Sequence, residues 1–247
     1  MEKENRYSRH ELLKEFDAHT QEKISASKVL IIGAGGLGSP ASLYLASSGV
    51  GRITIADGDT VDLTNLQRQV IHNMSRIGMN KATSAKASLE AMNSEIDIRA
   101  FTHRPLLEEL EELIADHDVV LDCTDNTASR YPISELCRRH KKPLVTAGAV
   151  AFDGQITVFD YRDPDSACYA CLFPNHDGAD EKASTKGVFA PLVGTLGCMQ
   201  ASEALKIIGG FGKPLTGELL MVDARSWSWW HMKYSRSEDC PCCAKEK

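Results

Sequence analysis

The sequence predicts an α/β fold: a Rossmann-like, mostly parallel sheet extended by antiparallel strands and fastened by a structural zinc site. Three observations carry this expectation. Short apolar runs alternate with helix-like segments through the first 150 residues, and a glycine-rich turn joins the first run to a helix. Two Cys-x-x-Cys pairs then stand far apart in the second half. Alternating β and α units of this length imply parallel strands linked by right-handed crossovers.

Residues 1–27 read as a polar helical arm with Leu12, Leu13 and Phe16 on one face. Lys28 to Ile32 is a short apolar run of the kind expected for a strand buried on both faces. It enters the glycine turn, and Ser39 to Ser48 follows as a helix stopped by Gly49. Arg52 to Asp57 is a second strand, 80–92 a helix, Glu95 to Phe101 a third strand, and 106–115 a Leu/Glu-rich helix. Asp118 to Asp122 is the strongest strand signal; a helix follows Asp125, and Pro143 to Ala147 is a further strand. After residue 150 the pattern changes. Gln155 to Phe159, Glu218 to Val222 and Trp227 to Met232 alternate, as antiparallel strands do. Asn175 to Lys186 reads as a mobile polar loop, and Ala190 to Ile208 as a helix ended by Gly209-Gly210. Residues 28–247 are thus expected to form a single domain, with a nucleotide-binding half at 28–150 and a second half at 151–247.

A chain of 247 residues, 43% hydrophobic and 25% charged, is long enough for a substantial core and ordinary for a globular protein. Its net charge of −6, without a strong basic run, argues against nucleic acid as a partner. No apolar run approaches membrane length, and Met1 to Arg6 lacks the apolar core of a signal peptide, so the expected location is cytoplasmic. In that reducing compartment, paired Cys-x-x-Cys spacings favour a metal over disulfides.

Gly33-x-Gly35-x-x-Gly38, with Gly36 inside it, follows a strand and opens a helix, which is the context of a nucleotide fingerprint. The helix N-terminus supplies amide donors and a positive dipole for phosphate. Asp57 ends the next strand, about 20 residues on, placed to accept hydrogen bonds from ribose hydroxyls. Asn65-Leu66-Gln67-Arg68-Gln69 and Lys81 add cations that a nicotinamide would not require and a triphosphate would. Asp122 to Arg130 begins at the carboxyl end of a core strand, where open α/β sheets bind ligands. Within it, Asp125 could hold Mg2+ or N-cap the following helix, and the two roles are compatible.

Taken together, Arg6-Tyr7-Ser8-Arg9, the glycine turn, Asp57, Asn65-x-x-Arg68-Gln69, Lys81, Asp125-Asn126-x-x-x-Arg130 and the cysteine pairs give the chain its resemblance. It resembles the ubiquitin-activating-enzyme-like superfamily, and within it the bacterial sulfur-carrier adenylyltransferases of the molybdopterin-synthase and thiamine type. The resemblance covers essentially the whole chain. It implies ATP as substrate, with Asp57 on ribose, Arg68 and Lys81 on phosphates, Asp125 on Mg2+, and Asn65, Gln69 and Asn126 beside them. It implies a homodimer in which Arg9 of one subunit reaches the nucleotide of the other. It further implies a ubiquitin-like sulfur-carrier partner ending in Gly-Gly, whose tail carboxylate is adenylated, so that residues 151–247 become a carrier-binding and zinc half.

Cys168-x-x-Cys171 and Cys240-x-x-Cys243 have knuckle spacing, and four thiolates suit a closed tetrahedral Zn2+ site that staples the tail. Cys242 competes with its neighbours as a ligand. Cys123 and Cys137 are expected in the core, with Cys198 on the apolar helix. Many relatives carry a loop cysteine where this chain has Ala183, which argues against a covalent thioester step. Trp227 and Trp229 are expected to share a strand face in the core or a subunit interface. Three rivals stay open at this point. They are a nicotinamide oxidoreductase, a non-catalytic binding protein of the same fold, and adenylation of another acceptor, a peptide or small carboxylate.

Overall fold

The computed structural model describes residues 6–174 and 186–244. The expected loop from Asn175 onward, with Ala183 and Ser184, therefore lies outside the described residues. Parallel strands β1 (Lys28–Ile32), β2 (Arg52–Ala56), β3 (Asp97–Phe101), β4 (Val119–Asp122) and β5 (Pro143–Val150) continue into antiparallel β6 (Asp153–Asp160), β7 (Glu218–Asp223) and β8 (Ser228–Lys233). All belong to one eight-stranded sheet in the order β3-β2-β1-β4-β5-β6-β7-β8. The sheet is therefore mixed as expected, parallel first and antiparallel after.

The continuous apolar strands exist because both faces are covered. Successive side chains of a strand point to opposite faces. Val29 and Ile31 of β1 pack with Ile53, Leu121 and Val145 into one core, while Leu30 and Ile32 join Val120, Leu144 and Phe159 in another. The first core is closed by α3 (Gly38–Ser47), α4 (Lys81–Met92) and α8 (Ala190–Gly209). The second is closed by α5 (Leu107–Ala115), α6 (Thr127–Arg139) and the short α7 (Tyr169–Leu172). Helix α8 ends where Gly210 takes φ +74° and returns its N–H to the Lys206 carbonyl at 2.8 Å. Among the described residues no helix is long and apolar enough to cross a membrane.

Two local expectations are corrected. Leu12, Leu13 and Phe16 do not share one apolar face. The arm divides into α1 (Ser8–Glu11) and α2 (Ala18–Ala26), leaving Leu12 and Leu13 exposed while Phe16 is buried against Phe211. Asp17 causes the break by N-capping α2, accepting from Thr20 N at 2.8 Å. Of the two settings expected for the tryptophans, the core is excluded: Trp227, at φ +54°, precedes β8, and Trp227, Trp229 and Trp230 are all exposed within the chain. Trp227 does stack on Trp229, with centroids 6.3 Å apart. Among the described residues β8 is the sheet edge, paired only with β7, and its side chains are largely exposed.

His117 ties α5 to the sheet. Its Nδ1 donates to the Leu113 carbonyl at 2.6 Å and its Nε2 accepts from Thr54 Oγ1 at 2.7 Å. Burial lowers its pKa below 6.5, against the opposing effect of the Leu113 bond. The folded chain thus keeps a neutral imidazole where the unfolded chain takes up a proton. Stability is full above pH 6.5 and falls as pH drops below it, by up to about 1.4 kcal/mol per pH unit for one such proton. Urea unfolding at pH 7.5 and 5.5 is expected to show this loss, and His117→Gln to flatten the slope. An equal slope in the variant would assign the dependence to other groups.

Candidate functional site

The order β3-β2-β1-β4-β5 places a reversal of strand order between β1 and β4, where the loops leaving the two strands part. A cleft of about 840 Å³ opens at their carboxyl ends. It receives Gly33 after β1, Asp57 after β2, Thr124 after β4 and Gly148 within β5.

The glycine turn is set by close approaches. Gly33 has φ +101°, and a Cβ there would lie 2.7 Å from the Cys123 carbonyl oxygen. A Cβ on Gly38 would fall 1.9 Å from the Gly33 oxygen, so Gly38 closes the turn onto α3 rather than facing the cleft. Gly35 and Gly36 do line it. Between them and Gly33, Ala34 is held on both sides. Its N–H donates to Asp57 Oδ2 at 2.7 Å, and its carbonyl accepts from His72 Nε2 at 3.0 Å. Since a carbonyl only accepts, Nε2 carries the ring proton, and Nδ1 accepts from Ser84 Oγ at 2.9 Å. Burial pushes the His72 pKa below 6.5, opposed by the Ala34 bond, which agrees with a neutral ring.

Asp57 lines the cleft, and its Oδ1 also accepts from Asp59 N at 2.9 Å. Each carboxylate oxygen has two acceptor sites, so these bonds brace the loop and still leave room for a ligand hydroxyl. Asn65 does not line the cleft. Its Oδ1 accepts from the N–H of Asp62, the N-cap of the 3-10 turn Leu63–Asn65, at 3.3 Å, and its carbonyl accepts from Arg68 N and Gln69 N at 3.1 and 2.9 Å. That turn directs Arg68 and Gln69 into the cleft. Gln69 is only 4% exposed, and its Oε1 has no hydrogen-bond partner among the described residues. An unpaired buried acceptor costs about 1–3 kcal/mol. Lys81, 7% exposed, opens α4 and meets Asp59 Oδ2 at 3.0 Å. A cation at a helix N-terminus opposes the helix dipole, and Asp59 offsets that cost.

At the end of β4 the buried Asp122 accepts from Thr124 N, Thr124 Oγ1 and Thr146 Oγ1 at 3.0, 2.7 and 3.1 Å. Arg130, also buried and lining the cleft, donates to the carbonyls of Thr124 and Ala147 at 2.9 and 3.0 Å. Helix α6 is capped by Asn126, whose Oδ1 accepts from Ser129 N at 3.0 Å. Capping therefore falls to Asn126 and not to Asp125. The Asp125 carboxylate is exposed, accepts from Asn126 Nδ2 at 3.4 Å, and lines the cleft, so it suits a hard cation.

Gly33, Gly35, Gly36, Asp57, Arg68, Gln69, Lys81, Asp125 and Asn126 thus converge, while Gly38 and Asn65 support the cleft from behind. Arg9 is exposed on α1 and does not line the cleft of its own chain. Sequence reasoning missed Asp59, Arg104 and Trp230 on the walls. Asp59 had a signal, two residues after Asp57 on the same turn. Arg104 had none, since it reaches the cleft from the loop after β3 by donating to Ser129 Oγ at 3.1 Å.

The cysteine pairs meet on the opposite face of the sheet from α3. Sγ atoms of Cys168, Cys171, Cys240 and Cys243 lie within 4.8 Å of one another, with separations of 3.5, 3.7 and 3.4 Å for three of the pairs. Tetrahedral bonds of about 2.3 Å to zinc place sulfurs about 3.8 Å apart, so the cluster fits that ion. Cys242 falls outside the set. Burial acts against ionisation of Cys240, but the N–H groups of Cys242 and Cys243 bring its thiol down to about 7. Arg138 and Arg236 donate to the carbonyls of Cys242 and Cys243 and hold the tail in place. Cys168→Ser is expected to reduce bound zinc from about one per chain to near none. Elemental analysis of purified protein checks this, and undiminished metal would remove Cys168 from the ligand set.

The model of the ThiF family matches residues 7–242. The chain is 44% identical over 240 residues to the molybdopterin-synthase adenylyltransferase of Escherichia coli K12, covering 97% of this chain and 96% of that protein. It is 42% identical over 239 residues to the sulfur carrier protein ThiS adenylyltransferase of the same organism, covering 96% and 94%. Among solved structures, Escherichia coli MccB with ATP superposes with a TM-score of 0.85 at 25% identity, over 98% of this chain and 74% of that one. The family match takes in the glycine turn, the Arg68 loop, Lys81, Asp125 and three of the four clustered cysteines, and the chain belongs to the ThiF family.

Proposed function

We propose that this protein uses ATP to adenylate the C-terminal Gly-Gly carboxylate of a ubiquitin-like sulfur-carrier protein. The observation that carries this reading is one cleft joining the glycine turn, Arg68, Lys81 and the exposed Asp125 carboxylate. The names of its adenylyltransferase relatives supply the acceptor and the setting, molybdenum cofactor or thiamine biosynthesis.

The reaction joins a carrier carboxylate oxygen to the α-phosphorus as the bond to the bridging α–β oxygen breaks and pyrophosphate leaves. The carboxylate is already ionised at neutral pH, so no general base is required. What is required is charge and alignment. The glycine turn and the start of α3 offer amides to phosphate. Arg68 gives a planar fork for phosphate oxygens, and Lys81 exchanges Asp59 for a phosphate. Gln69 lies beside the nucleotide, and Asp57 accepts from ribose. Asp125 would hold Mg2+, whose charge neutralises the polyphosphate. Arg9 of the partner subunit completes the site in a homodimer.

Residues 28–247 act as a single adenylation domain, with 28–150 holding the nucleotide and 151–247 serving the carrier and zinc. Zinc in the Cys168, Cys171, Cys240, Cys243 cluster is structural, because four thiolates leave no open position. With Ala183 in place of a loop cysteine, the chemistry ends at the acyl-adenylate and involves no covalent enzyme intermediate. The protein works in the cytoplasm.

Arg68→Ala and Asp125→Ala are each expected to lower carrier-dependent ATP–pyrophosphate exchange by about 100-fold or more, with an unchanged elution volume on size exclusion. Exchange near wild-type in both variants would remove those roles. Wild-type exchange with a peptide or small carboxylate, and with no Gly-Gly carrier, would replace the acceptor.

A further inference from the structure

We propose that His72 is a positioning residue for the ATP phosphates, acting through the Ala34–Gly35 peptide; this rests on the adenylation reading above. His72 is 7% exposed and does not line the cleft, yet three phosphate-facing elements meet at it. Its Nε2 donates to the Ala34 carbonyl in the glycine turn, and its Nδ1 accepts from Ser84 on α4. Ser84 stands three residues beyond Lys81, on the next turn of that helix. The backbone N–H of His72 donates to the Gln69 carbonyl at 3.1 Å, which joins the Arg68 loop to the same point.

The orientation follows from peptide geometry. The Ala34–Gly35 peptide is trans and planar, so its carbonyl and its N–H project from opposite edges. With the carbonyl anchored inward on His72, the N–H of Gly35 is directed the other way, and Gly35 lines the cleft. Asp57 holds the preceding N–H of Ala34, which stops the unit from turning about the chain. Removing the imidazole would free the carbonyl to rotate, turn the Gly35 N–H off the phosphate, and loosen the spacing between the turn and Lys81. The other arrangement of a buried ring, simple filling of space, would need no donor at Nε2.

This difference sets the test, on full-length protein. ATP binding is measured by calorimetry for His72→Phe, His72→Asn and His72→Gln, with the KM values for ATP and carrier in pyrophosphate exchange. Gln can present an amide N–H near the Nε2 position; Asn reaches only toward Ser84, and Phe offers neither bond. Phe and Asn are expected to weaken ATP binding about tenfold and to raise the ATP KM, leaving the carrier KM unchanged, while Gln stays within about threefold of wild-type. Phe and Asn variants that bind ATP like wild-type, or a Gln variant as weak as Asn, would overturn the proposal. Should His72→Phe fail to fold by circular dichroism, the Gln and Asn pair decides alone. A wild-type protein that binds no ATP overturns the adenylation reading itself, whatever the variants do.

Discussion

Gly38 comes so close to the carbonyl of Gly33 that no side chain fits between them, and this contact seats α3 directly on the end of β1. Everything in the cleft is arranged around that junction. The start of α3 faces the place where the loops from β1 and β4 separate, and Gly33 packs in turn on the Cys123 carbonyl at the end of β4. A methyl group at either glycine would push the helix and the two strands apart. The amides would then no longer converge on one point, and the cations on the neighbouring loops would face an altered space.

The charges depend on that geometry and on being held ready. Lys81 is nearly buried with Asp59 beside it, so its cation is paired before any nucleotide arrives. Arg130 and Asp122 form a buried layer beneath the cleft, tied to Thr124 and Thr146. These pairs are better read as fixing the loops than as sources of stability, since the cost of desolvating buried charge offsets much of the attraction. Asp125 and Gln69 differ from them. One is an exposed carboxylate spared from capping, and the other carries a buried oxygen without a partner among the described residues.

The two halves of the sheet divide the labour. The parallel half, covered on both faces, carries the cleft at its carboxyl ends. The antiparallel half ends in β8, whose Trp229, Trp230 and Met232 are exposed. Trp230 reaches the cleft wall, so the cleft and the open sheet edge are continuous. The cysteine cluster fastens the chain beyond β8 to α7, within the core that α6 also closes.

Much of this was legible in the chain because it rests on local rules. Apolar runs such as Val29 to Ile32 mark doubly covered strands, glycines at positions 33, 35, 36 and 38 mark a turn before a helix, and Cys-x-x-Cys pairs mark a soft-metal cluster. The two strand patterns, continuous and then alternating, were enough to place the parallel and antiparallel portions. What required the tertiary structure was every role defined by a neighbour distant in sequence. Nothing local distinguishes Asn126 from Asp125 as the cap of α6, predicts that Leu12 and Leu13 stay outside while Phe16 meets Phe211, or leaves the tryptophans uncovered on an edge strand. Nor does any spacing bring Arg104 to Ser129 or His72 to Ala34. Periodicity reports which face of an element is covered, because that is a property of consecutive residues. Which hydrogen-bond acceptor a side chain meets is settled only when separate elements pack, and here that packing decided which groups support the cleft and which face into it.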